Sequence, residues 1–142
     1  MVQLILTYII WILYAFFEGF RESFYWYLKA KLQLSKIMDL HSIFSLQRGL
    51  FLLIVFVSLF TELGFIGTTL YCISLALCFS FIHNGTYYIT RDKLDKSYPI
   101  GWFSQSKTST AFWTKFMTPI SRTIQFIVGT GVITYLIYTY QK

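Results

Sequence analysis

The chain has 142 residues and a formal charge of +6, and 56% of it is hydrophobic, 21% aromatic and only 13% charged, about half the charged share of an average soluble domain. This excludes an ordinary water-soluble domain, and since membrane spans take about 20 residues each, four of them leave no room for a separate aqueous domain. No basic patch follows the pattern of a nucleic-acid-binding fold, so nucleic acid is not an expected partner.

The first apolar run, Val2 to Phe17, is broken only by Gln3 and Thr7 and gives way to Glu18, Arg21 and Glu22. A cleaved signal would need a basic start and a small-residue cleavage site. The run opens on Val2 and Gln3 and closes on Phe16 and Phe17, so the expectation is a retained helix over 2–20. Glu18 and Glu22 are four residues apart and share a face if the helix continues. Phe24, Tyr25, Trp26 and Tyr27 follow, then Lys29, Lys31 and Lys36 among Leu28, Leu32, Leu34, Ile37 and Met38. Rings favour the headgroup layer, and basic side chains lay their stems on apolar surface while the charge reaches water. Anchoring of a helix end is the ordinary reading of this stretch, and sensing of anionic lipid the sharper one.

Between Gly49 and Ile82 the only charge is Glu62. Two spans, 44–61 and 64–84, are expected there, joined by a tight hairpin at Thr61, Glu62, Leu63 and Gly64. Small side chains recur every four residues in the third span, at Gly64, Thr68, Cys72, Ala76 and Ser80. Such rows let helix backbones approach closely in lipid, and because an i to i+4 row drifts by about 40° per step, this one is expected to serve two neighbours. Cys72 and Cys78 have neither zinc-ligand nor redox spacing and read as small buried side chains. If the helix runs past Ile82, then Ser80, His83, Asn84, Tyr87 and Arg91 form a stripe leaving the membrane. Asn84, Gly85 and Thr86 spell a glycosylation sequon, expected to be silent on the inner side.

Tyr98 to Thr110, with Pro99, Gly101 and a hydroxyl run around Lys107, reads as a solvated linker; it lacks the glycines of a phosphate-binding loop. The fourth span, 120–140, follows Pro119, which suits a first helical turn. Gln125 and Gly129 are expected to face protein, since a lipid-facing amide is costly. Of the twelve basic residues only Lys142 lies outside the two long connections and their flanks. The positive-inside rule therefore puts both connections inside and both termini outside.

The resulting expectation is an all-α integral membrane protein, a single domain over 1–142 with four transmembrane helices, one tight outer hairpin and two basic inner connections, in a bacterial or organellar inner membrane. Glu18, Glu22, His41 and His83 all fall at the basic boundary, where two carboxylates and two histidines from neighbouring helices suit a transition metal. No Glu-x-x-His or His-Glu-x-x-His pair is present, and simple pairing of the carboxylates with Arg21, Lys29 or Arg48 asks less of the sequence. Arg48, His83, Arg91 and Arg122 are the alternative set, for an anion or lipid headgroup.

No motif names an activity, and no cofactor is implied beyond that metal set. The reading that asks least is a non-catalytic subunit or assembly module, with anionic lipids, further copies of the chain or other membrane subunits as partners. A boundary binding or catalytic site, and an oligomeric pore or transporter, are the alternatives. A pore would need a polar stripe through the full membrane depth, and no span carries a charge at its middle.

Overall fold

The structure, a computed structural model, describes residues 2–32, 40–96 and 117–140. Its described residues form α1 (Val2–Lys31), α2 (Leu40–Leu94) and α3 (Pro119–Thr139). All three are long and apolar enough to cross a membrane, which fits a multi-pass membrane protein. The helix count differs from the four expected, because the two middle spans form one 55-residue element interrupted at Gly64.

α2 is nevertheless not straight. Gly64 sits at φ 65° and ψ 179°, the single positive-φ glycine among the described residues, a conformation that glycine adopts without the steric cost a Cβ imposes. The chain turns back there. Thr68 Oγ1 donates to the Leu59 carbonyl at 3.3 Å and Cys72 Sγ lies 3.7 Å from the Leu52 carbonyl, so residues 40–63 and 65–94 run as two antiparallel arms. The tight turn expected at Thr61–Gly64 is thus made by one glycine, with helical hydrogen bonding on both sides.

α1 buries Leu4, Trp11, Ala15, Glu18, Gly19, Glu22 and Ser23, the three-, four- and seven-residue spacing of one helix face. That face packs on both arms of α2. Trp11 is the centre of the contact, its ring 4.9 Å from Phe51 of the first arm and 5.3 Å from Phe79 of the second, while its indole Nε1 donates to the Leu75 carbonyl at 2.6 Å. α3 lies along the second arm. Gly129 permits this, since a Cβ there would sit 2.7 Å from the Ser74 carbonyl and 2.8 Å from Cys78 Sγ, and Phe81 stacks on Phe126 at 4.7 Å. Thr118 caps α3 by accepting from the Ser121 amide at 3.1 Å, and Pro119 opens its first turn, where its missing N–H costs nothing.

Most hydroxyls in the bundle are bonded to backbone of their own helix or the next. Tyr71 donates to the Leu4 carbonyl at 2.5 Å and lies 2.7 Å from Thr7 Oγ1, and Tyr8 meets Thr130 at 3.0 Å. The small-residue row of the second arm is divided. Thr68 is buried and Cys72 and Ser80 half-buried, but Gly64 and Ala76 lie at the surface of the chain. The arm's buried stripe runs instead through Thr68, Tyr71, Ser74, Leu75, Cys78 and Phe79. Gln125 is half-buried, with its amide 3.5 Å from Met117 Sδ.

Candidate functional site at the basic end

At the helical rise of 1.5 Å per residue, Arg48 and His83 lie roughly 24 and 29 Å from the Gly64 turn along their arms, and Glu18 roughly 24 Å from the start of α1. Three different chain segments thus bring charged groups to one level, close to a hydrocarbon thickness of about 30 Å from the opposite end. Tyr140, at the end of α3, donates to the Leu63 carbonyl at 3.3 Å. The far end of α3, with Arg122, therefore belongs to the same basic level.

The side chains at this level converge. Arg48 binds Glu18 through both Nε and Nη2, with Nε 3.0 Å from Oε1 and 3.4 Å from Oε2. Glu18 and Glu22 share the buried face of α1, and His83 of the second arm reaches between them: Nε2 is 2.9 Å from Glu22 Oε2 and 3.9 Å from Glu18 Oε1. All three are buried, and one ligand atom from each lies within 4.8 Å of the others. Carboxylates removed from water are costly unless they are paired or ligate a cation, so the cluster has a defined electrostatic task.

Neighbouring groups fix each member. Trp26 Nε1 donates to Glu22 Oε1 at 3.2 Å, leaving Oε2 toward the histidine. Phe79 stacks on the His83 imidazole at 5.1 Å, and Arg48 lies over the same phenyl ring at 4.4 Å, a cation–π arrangement that holds the guanidinium in place. Gly19, one residue after Glu18, sets the helix spacing: a Cβ there would run into the His83 carbonyl.

Of the metal set expected from the sequence, Glu18, Glu22 and His83 are together, and the His41 side chain lies outside the described residues. The anion set is distributed differently. Arg48 and His83 are engaged around Glu18, and two buried carboxylates repel an anion from that place. Arg91 is buried, 4.0 Å from Asp95 and 5.8 Å from the Tyr27 ring, and Arg122 is buried on α3. Along the stripe expected past Ile82, the Asn84 amide is taken up by Ser80, donating to its carbonyl at 3.0 Å and its hydroxyl at 3.2 Å, while His83 turns toward α1. The Tyr98–Thr110 linker lies outside the described residues. Phe24 to Lys31 continues α1, where Lys29 lies 4.7 Å from the Trp26 ring and Lys31 5.7 Å from that of Tyr27.

Sequence reasoning passed over Gly19 and Phe79 and read Trp26 only as an interfacial ring. The signal for Gly19 was available, because Ala15, Gly19 and Ser23 form a row of small residues at i, i+4 and i+8, and all three are buried. Trp26 and Phe79 look like any other aromatic residue in a chain that has so many. No family model matches the chain, and neither a curated protein nor a solved structure does.

Proposed function

We propose that the chain is a four-crossing membrane protein and serves as a non-catalytic subunit or assembly module of a membrane complex. The observation that carries this reading is the division between its inside and its outside. The interior is filled by Trp11, Tyr71, Leu4, Leu59, Leu75 and Ile133, each less than 2% exposed, which leaves little for a polar conduction path to follow. The outward faces carry Ile9, Leu13, Leu53, Ile54, Val57, Ile66, Ile73, Ile124 and Ile127, all exposed, a surface suited to lipid and to other membrane helices.

Four crossings follow from the fold-back at Gly64. A straight helix of this length would reach about 80 Å, well over twice the hydrocarbon thickness, whereas two arms each match it. With the basic connections inside, the Gly64 turn and both termini lie outside, and the Glu18 cluster sits at the inner boundary. Inner-membrane residence and contact of the basic side with anionic lipid complete the reading.

Two experiments test it. Cysteines at Gln141 and Ser106, in a chain lacking Cys72 and Cys78, are expected to be labelled from outside at 141 only; labelling at 106 alone reverses the orientation, and labelling at both removes the fourth crossing. Native mass spectrometry of the full chain extracted in mild detergent is expected to show an assembly larger than the 16.8 kDa chain. A single chain throughout would overturn the subunit role.

A further inference from the structure

We propose that Glu18, Glu22 and His83 bind a divalent first-row transition metal ion, Zn²⁺ foremost, between α1 and the second arm of α2. The inference goes beyond the assembly role and does not rest on it. The donor set is one imidazole nitrogen and two carboxylate oxygens, the mixture that borderline ions accept.

The distances fit such an ion. Bonds of about 2.0 to 2.2 Å in a tetrahedral shell place ligand atoms about 3.3 to 3.6 Å apart. The two separations from His83 Nε2, 2.9 Å and 3.9 Å, lie on either side of that range, and all three ligand atoms fall within 4.8 Å of one another. The orientation of the histidine is the second observation. His83 is 8% exposed, and its buried Nε2 makes no hydrogen bond although a carboxylate oxygen lies 2.9 Å away. The ring nitrogen is near enough to bond Glu22 but is misaligned for it, and it lies within 3.9 Å of both carboxylates.

A metal ligand is held in place by a partner that orients it, and each of these three has one. Arg48 grips Glu18, the Trp26 indole holds Glu22, and Phe79 lies flat on His83. Gly19 lets α1 come close enough for the three to meet. Three protein ligands leave a fourth position for water.

The test uses the full-length chain without a histidine tag, purified in mild detergent and stripped with chelator. Loaded with Zn²⁺ and desalted, it is expected to retain about one ion per chain. Loaded with Co²⁺, it is expected to show the visible bands of a four-coordinate ion, which Zn²⁺ then abolishes. Glu22→Gln and His83→Gln are expected to lower Zn²⁺ affinity by more than 100-fold, and Trp26→Phe by the roughly 10- to 100-fold typical of an orienting partner. Circular dichroism and gel filtration establish that each variant is folded; where His83→Gln is not, Glu22→Gln and the wild-type Co²⁺ spectrum decide. A wild-type chain that retains neither ion, or folded variants that retain Zn²⁺ as well as wild type, overturns the proposal.

Discussion

The two ends of the bundle are held by different chemistry. At the Gly64 end the contacts between helices are neutral: Tyr71 to the Leu4 carbonyl, Tyr140 to the Leu63 carbonyl, Thr68 to the Leu59 carbonyl. At the basic end an ion pair takes over: Arg48 of the first arm binds Glu18 of α1, and His83 of the second arm lies beside Glu22 and Glu18. Neutral hydrogen bonds are small per contact in a bilayer because unfolded helices find substitute partners there. A buried ion pair behaves otherwise, since removing one partner strands the other's charge. The comparison teaches that one end sets the helix packing through many replaceable contacts, and the other depends on a few that have no substitute.

The largest expected effect comes from breaking the ionic end. Glu18→Ala leaves Arg48 without its carboxylate and is expected to cost about 3 kcal/mol, the lower edge of the range for a buried pair, because Arg48 keeps 30% of its side chain exposed. Unfolding in detergent or bicelles measures it. A loss below about 1 kcal/mol, the level of a surface ion pair, would mean that the two ends do not differ in kind.

Close helix approach comes next. Gly19→Ala and Gly129→Ala each drive a Cβ into a neighbouring backbone carbonyl and are expected to cost about 1 to 3 kcal/mol. Gly131→Ala is the control of opposite sign: a Cβ there meets nothing within 4 Å, so the helix-propensity gain of up to about 1 kcal/mol remains. Destabilisation at Gly131 would show that α3 has a neighbour on that face.

Tyr71→Phe removes the hydroxyl that bonds the Leu4 carbonyl and Thr7 at the other end and is expected to cost about 0.6 to 1.7 kcal/mol. A loss as large as that of Glu18→Ala would erase the contrast. Smallest of all is Ala76→Leu. Its side chain is on the surface of the chain, so the isolated protein is expected to change by no more than about 0.5 kcal/mol. A smaller assembly in native mass spectrometry with unchanged chain stability would place a partner on that face.

The helical class was legible because apolar runs of membrane length separated by basic segments have few other solutions. The turn at Gly64 was legible as well, being marked by Glu62 and a glycine. Its form was not, since hydropathy does not show that one residue out of helical conformation suffices for the reversal. At the site, Glu18 and Glu22 could be placed on one face by their spacing. The approach of Arg48 and His83 to that face depends on how two arms pair, and register between helices leaves no mark in a single sequence. The four-residue row in the second arm failed to identify the buried face because small residues permit close packing without requiring it. The row that does the packing, Ala15, Gly19 and Ser23, lies on α1, interleaved with Glu18, Arg21 and Glu22.

All of this depends on the reversal of α2, since only a folded helix brings Arg48 and His83 to the same pair of carboxylates. Cysteine cross-linking tests it with one new thiol. Leu52→Cys in a Cys78→Ser chain puts a thiol on the residue whose backbone carbonyl lies 3.7 Å from the Cys72 sulfur, and mild oxidation in the membrane is expected to give an intrachain disulfide, seen as a reducible shift of the monomer band. In an unbroken helix the two positions stand about 30 Å apart, and the absence of an intrachain bond, with only interchain dimers or free thiols recovered, would contradict the account.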